Sequence, residues 1–266
     1  MTYTLRVSRF HPDSPEERFF SEFEIDAEYG MTVLDALIWL KENKDGSLSF
    51  RYSCRMGVCG SCGMLINGYP MLACNTQLAE LGAAVVTVEP LPNHPVIRDL
   101  VPELSSLFDK HRGVRPHIER GEPDVAPKAE LAQSIGEHKS YSQFSYCIKC
   151  GICVSACPTC ATDPAYTGPQ ALAQAHRYSQ DSLDDGAPAR MEAVDKEHGI
   201  FNCHYAGACS EACPKGVDPA LAIQLFKRRM AAAAWGLGEA QKPTAELPQQ
   251  GPNLKPDIPP PPARTA

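Results

Sequence analysis

Two short runs carry most of the chemistry this chain could do: Cys147-x-x-Cys150-x-x-Cys153-x-x-x-Cys157-Pro158 and Cys203-x5-Cys209-x-x-x-Cys213-Pro214. Thiolates are soft ligands, suited to iron–sulfur clusters and zinc. A C-x2-C-x2-C-x3-C-P run puts three sulfurs on one cubane and sends the fourth to a second cluster. The second run keeps that frame with one change: Ala206 stands where the frame places its second cysteine. Cys147, Cys150, Cys153 and the crossing Cys213 are therefore the ligands expected for a 4Fe–4S cluster. Cys203, Cys209 and the crossing Cys157 remain, and three thiolates suit a 3Fe–4S cluster. Zinc and disulfides fit less well, since one tetrahedral zinc takes four ligands and not a mirrored pair of runs.

A different motif stands earlier: Cys54-x4-Cys59-x2-Cys62, the plant-type 2Fe–2S spacing, which needs a fourth cysteine further on. Cys74 supplies it. Asn67-Gly68, flanked by Met64–Ile66 and Tyr69–Leu72, is a strong hairpin signal, and folding back there brings Cys74 beside Cys62. Gly57, Gly60 and Gly63 are expected to take positive φ and aim backbone N–H groups at sulfur. Such hydrogen bonds and solvent exposure tune a cluster's potential. Cys160 is spare, and the expectation for it is a small buried hydrophobe.

These ligands need a scaffold. Residues 3–10 and 19–25 alternate as half-buried strands. Thr32-x-x-Asp35 reads as a capping pair opening a helix whose buried face carries Val33, Ala36, Leu37 and Leu40. Strand, strand and crossing helix begin a β-grasp arrangement, and Val85–Glu89 closes its sheet. A helix is expected over about 99–112, then a surface connector without apolar period over 113–138. Near Tyr141 a helical unit begins. Gly168-Pro169 and Asp218-Pro219 each mark a helix start with Pro in the first turn. His176 is expected as a hydrogen-bonded core histidine, and Arg228 and Arg229 at a solvated helix end. The fold class is thus α+β: an N-terminal β-grasp plant-type ferredoxin domain (1–105), a connector (106–140) and a C-terminal all-helical ferredoxin domain (141–239). A Pro-rich tail (240–266) follows.

Composition narrows the role. A net charge of −7 gives no basic stripe, so no nucleic-acid partner is expected. Twelve cysteines could mean disulfides, but the start MTYTLRVSRF lacks the apolar core of a signal peptide, pointing to a reducing compartment. No window reads as a spanning helix, so membrane contact is expected through a partner.

On these motifs the chain resembles the iron–sulfur subunit of succinate dehydrogenase and fumarate reductase. The resemblance spans about residues 1–235 and rests on SCRMGVCGSCGMLINGYPMLAC, CIKCGICVSACP, HRYSQDS and CSEACPKGVDPALAI. The last two look more like the bacterial fumarate-reductase branch. The mitochondrial-type pattern has an aromatic pair where this chain has Ala161 and Thr162, which favours menaquinone over ubiquinone. The resemblance implies a partner flavoprotein with covalent FAD that interconverts succinate and fumarate, in the tricarboxylic acid cycle or in anaerobic respiration. It implies electron passage through 2Fe–2S, 4Fe–4S and 3Fe–4S to a quinone held against a transmembrane anchor subunit, its haem b content left open. The chain would then sit peripherally on the cytoplasmic face of the cell membrane. By position, Pro158, His204 and Lys227 correspond to residues lining the quinone pocket. A free-standing ferredoxin and a redox sensor are the competing classes. Three clusters in one chain favour a fixed wire over a shuttle, and the basic element of a sensor is absent.

Overall fold

The computed structural model describes residues 1–13, 18–120 and 133–237. Strand β1 (Thr2–Arg9) pairs antiparallel with β2 (Phe19–Asp26), so that Leu5 faces Phe23 across the ladder. Strands β3 (Gly63–Ile66), β4 (Tyr69–Leu72) and β5 (Val85–Glu89) complete a sheet of order β2-β1-β5-β3-β4, in which only β1 and β5 run parallel. Asn67 and Gly68 hold φ of 48° and 81°, as a tight hairpin turn requires. Helix α1 (Val33–Asn43) opens on a reciprocal cap: Thr32 Oγ1 accepts from Asp35 N–H and the Asp35 carboxylate accepts from Thr32 N–H. Its buried Val33, Leu34, Ala36, Leu37 and Leu40 pack on Leu5, Val7, Val86 and Val88 of the sheet.

The stretch expected as a helix over 99–112 divides. A small hairpin, β6 (Val96–Arg98) and β7 (Val101–Pro102), comes first, and helix α2 (Ser105–Gly113) only then. The reason is Asp99. It is buried at φ 44°, and its carboxylate accepts from Arg9 Nε–H (3.1 Å), Phe10 N–H (3.0 Å) and Ser49 N–H (2.9 Å). A buried carboxylate needs those partners, and reaching them takes a turn.

The chain then lies against the second half. Arg190, fully buried, pairs with Asp184 (2.6 Å) and donates to the Arg115 carbonyl (2.8 Å), pinning the first part of the connector. Residues 121–132 of the expected connector and the tail from 238 onward lie outside the described residues. Helix α3 (Ile135–Ser145) starts ahead of Tyr141, inside the stretch read as connector. Ser134 Oγ accepts from Glu137 N–H and Glu137 returns the bond to Ser134 N–H. Helices α4 (Ile152–Ser155), α5 (Pro158–Thr162), α6 (Pro169–Ser179), α7 (Ala187–Val194), α8 (Ala208–Glu211) and α9 (Pro219–Ala234) follow. No strand occurs among the described residues of 133–237.

Helix α6 is the axis of this half, packed by α2, α3, α7 and α9. His176 on it is fully buried between Phe144 and Phe226, as expected of a core histidine. The expected hydrogen bond is missing: neither ring nitrogen has a partner among the described residues. Arg229 is not free in solvent either, since its guanidinium donates to the Ser179 carbonyl. The two halves share one core. Ile152 is buried in the cluster formed by the sheet and α1, with Ile148 and Cys150 packed against it. Asn93 Nδ2 ties them further by donating to the Val154 carbonyl (2.9 Å) at the end of α4.

Candidate metal centres

The Cys54–Cys62 loop lies at the edge of the sheet and folds around its own sulfurs. Val58 and Cys59 N–H both donate to Cys54 Sγ (3.3 Å), Met56 N–H does so at 3.5 Å, and Gly57 N–H reaches Cys74 Sγ at 3.2 Å. The Met56, Val58 and Cys59 amides lower the Cys54 thiol to about 6. Cys74 comes within this reach because β3 and β4 fold back and a short 3-10 turn (Ala73–Asn75) follows. Gly57 and Gly60 take positive φ (69° and 77°) as expected; Gly63 does not. Gly63 is small for another reason: a Cβ there would lie 3.1 Å from Leu91 Cδ1.

In the second half the six remaining ligand candidates divide between two pockets. One is lined by Cys147, Cys150, Cys153 and Cys213, with Gln170 and Pro214. The other is lined by Cys157, Cys203 and Cys209, with Pro158, His204, Tyr205 and Ala206. Each run therefore sends its last cysteine into the other run's pocket. The local backbone repeats as well. Lys149 and Gly151 flank Cys150 at φ 55° and 84°, and Tyr205 and Gly207 flank Ala206 at 58° and 78°. Ala206 thus occupies the backbone position of Cys150 with a methyl group in place of a thiol.

The soft thiolate donor set suits iron–sulfur clusters. Burial pushes Cys150 and Cys209 up to about 12 and raises Cys153 and Cys213 as well. A buried thiol of that kind keeps its proton until a cation replaces it, and a metal does so outright. Among the described residues no three His, Cys, Asp or Glu side chains converge on a single metal ion. Sulfurs spread around a pocket suit a multi-iron core.

Cys160 lines neither pocket. Its side chain donates to Cys157, lowering the Cys157 thiol to about 6, and borders a third cavity with His94 and Lys110. Pro158 and His204 lie at the rim of the Cys157 pocket, both exposed. Lys227 does not line it. Its ammonium donates to the Cys203 carbonyl (3.0 Å) and lies 5.9 Å from the Phe201 ring. Two residues escaped the sequence reading. Tyr166 is buried in the Cys157 pocket, and Gln170 reaches Cys147. Neither has a spacing signal, although a residue just after Gly168-Pro169 leans back toward whatever precedes its helix.

The family described as a 2Fe-2S iron-sulfur cluster binding domain matches residues 4–109, and the 4Fe-4S dicluster domain matches residues 143–217. A fumarate reductase iron-sulfur subunit of Mycobacterium tuberculosis (strain CDC 1551 / Oshkosh) is 44% identical over 241 residues, covering 88% of this chain and 98% of its own length. The Haemophilus influenzae subunit of that name is 39% identical, covering 84% and 91%. A mitochondrial succinate dehydrogenase [ubiquinone] iron-sulfur subunit of rice is 36% identical, covering 85% and 82%. Among solved structures, a chain of the Mycobacterium smegmatis Sdh1 complex in the apo form superposes with a TM-score of 0.78 at 28% identity, covering 88% of this chain and 97% of that one. With a 2Fe–2S domain followed by a 4Fe–4S domain and close relatives matched along nearly their full length, the chain belongs to the family of iron–sulfur subunits of fumarate reductase and succinate dehydrogenase.

Proposed function

We propose that this chain is the electron wire between a flavoprotein with covalent FAD and a membrane-bound quinone, serving the interconversion of succinate and fumarate. The observation that carries the reading is the crossing of cysteines between two pockets, which holds two redox sites side by side in one unit. Cys54, Cys59, Cys62 and Cys74 are the ligands of a 2Fe–2S cluster in a β-grasp ferredoxin domain (1–105). Beyond a connector (106–140), Cys147, Cys150, Cys153 and Cys213 hold 4Fe–4S, and Cys157, Cys203 and Cys209 hold 3Fe–4S, in an all-helical ferredoxin domain (141–239). When bound, these groups supply one-electron redox chemistry, which the side chains alone lack. The protein's part is to fix spacing, exclude water and set potentials through hydrogen bonds to sulfur.

The two ends suit different partners. Met56 and Val58, exposed on the Cys54 loop, support flavoprotein docking there. Exposed Tyr205 lies with Pro158 and His204 at the Cys157 pocket, and Lys227 and exposed Phe201 lie beside it. Pro158, His204 and Lys227 would meet the quinone and the transmembrane anchor there. No helix among the described residues is long and apolar enough to cross a membrane, and the chain would be held by that anchor at the cytoplasmic face. Small Ala161 and Thr162 in α5, and higher identity to fumarate reductases than to the ubiquinone-linked enzyme, favour menaquinone.

Ala206→Cys tests the ligand sets, because it restores a thiol at the position equivalent to Cys150. The oxidised complex should lose its 3Fe–4S paramagnetic signal and gain one iron. Survival of that signal at full metal loading would overturn the assignment around Cys203 and Cys209.

A further inference from the structure

We propose that Gln170 is a positioning residue of the electron relay: its amide donates a hydrogen bond to the Cys147 sulfur, is held there by His111, and raises the potential of the cluster bound at that sulfur. The proposal rests on the reading that Cys147 ligates the 4Fe–4S cluster.

Gln170 is 2% exposed, and it follows the proline that opens α6. A long side chain in a first helical turn leans toward the preceding loop, and here it lines the pocket of Cys147, Cys150, Cys153 and Cys213. Its Nε2 lies 3.8 Å from Cys147 Sγ and 3.2 Å from His111 Nδ1. An amide nitrogen has two hydrogens and nothing to accept with, so it serves both neighbours as donor. His111 Nδ1 must then be the acceptor, which puts the imidazole proton on Nε2. Burial, and secondarily the charge of Lys149, lower His111 to about 4, so the ring is neutral near pH 7 and Nδ1 is free to accept.

Orientation is the remaining question, because amide oxygen and nitrogen are assigned from their surroundings. A flipped amide would set its oxygen against the electron pairs of the Cys147 sulfur, whichever tautomer His111 takes. In the observed orientation Oε1 has no partner among the described residues. With that oxygen unpaired, the two N–H contacts are what hold the side chain in place. An added electron puts more negative charge on the sulfurs. A donor to sulfur therefore stabilises the reduced state more than the oxidised one, and the potential rises.

The test is a redox titration of the purified complex with each cluster followed by its own paramagnetic signal. Gln170→Leu keeps the size and removes the donor. It should lower the reduced-to-oxidised ratio of the 4Fe–4S cluster about tenfold at fixed potential, a fall of about 59 mV for a one-electron couple. The 2Fe–2S and 3Fe–4S midpoints and the iron content should not change. His111→Phe should shift the same midpoint in the same direction by less. Gln170→Ala is the second variant, should the leucine disturb packing. A 4Fe–4S midpoint that stays put in either intact variant overturns the proposal, and loss of the cluster in both makes Gln170 structural. Cys147→Ser separates the underlying reading: if it leaves the 4Fe–4S signal and midpoint untouched, Cys147 is not a ligand. If it alters them while Gln170→Leu does nothing, only the role of Gln170 fails.

Discussion

Gly60 and Cys150 meet with no room for a side chain between them. A Cβ on Gly60 would lie 2.7 Å from Cys150 Cβ, 3.0 Å from its Cα and 3.3 Å from the Ile148 carbonyl oxygen. One residue lies between Cys59 and Cys62 in the first cysteine loop, and the other lines the Cys147 pocket, so two redox sites are separated by little more than backbone. Gly60 also holds φ 77°, which an L side chain rarely adopts. Gly60→Ala should therefore force the halves apart and cost about 1–3 kcal/mol, as overpacking does. Its signature would be a lower melting temperature and weaker magnetic coupling between the 2Fe–2S and 4Fe–4S signals, with both clusters present. Unchanged coupling and stability would mean the contact opens without consequence.

Cys160 lines neither of the two cysteine pockets of the second half. It faces the cavity shared with His94 and Lys110 and not the pocket of Cys157, Cys203 and Cys209. Cys160→Ser keeps a donor near Cys157 and should leave iron content and all cluster spectra unchanged. Loss of any cluster in that variant would place Cys160 among the ligands.

His176 predicts a pH dependence. Burial, and then the charges of Arg229 and Arg228, lower its ring to about 3 from an ordinary 6.5. The folded chain thus stays unprotonated where the unfolded chain binds a proton, so this contribution is complete above pH 6.5 and is lost as pH falls toward 3. The loss approaches about 1.4 kcal/mol per pH unit. His176→Phe, set between Phe144 and Phe226, should flatten the fall in unfolding free energy between pH 7 and 5. Equal slopes in the two proteins would show that the ring finds a partner in its protonated form.

Lys227→Leu tests the quinone end. The ammonium lies against the Cys203 carbonyl beside that pocket, and removing a cation that stabilises developing negative charge costs on the order of 10²-fold in turnover. Quinone-linked turnover should fall by that order, while succinate oxidation with a soluble dye and all three cluster signals persist. If both activities fall together, the lysine serves only to hold Cys203 in place.

Much of this protein is local chemistry, and local chemistry is legible in sequence. Ligand spacing follows from how far a few residues can reach around a cluster, so Cys54, Cys59, Cys62 and both later runs stood out. Asn67-Gly68 and Thr32-x-x-Asp35 are equally short-range, and each produced the turn or helix start it implies. Ser134 and Glu137 carried the same kind of signal for α3, hidden by the polar residues around them. What the tertiary structure alone decided involves residues far apart in the chain. Asp99 turns where a helix was expected because Arg9 and Ser49 wait for its carboxylate. Gly63 is small for Leu91, Gly60 is small for Cys150, and Lys227 finds the Cys203 carbonyl. Gln170 acquires its meaning only when α6 brings it between His111 and Cys147. Spacing along the chain encodes which sulfurs can share a metal. Packing between distant segments sets how close those metals lie and what touches their ligands, because close contact and hydrogen bonding depend on distance in space.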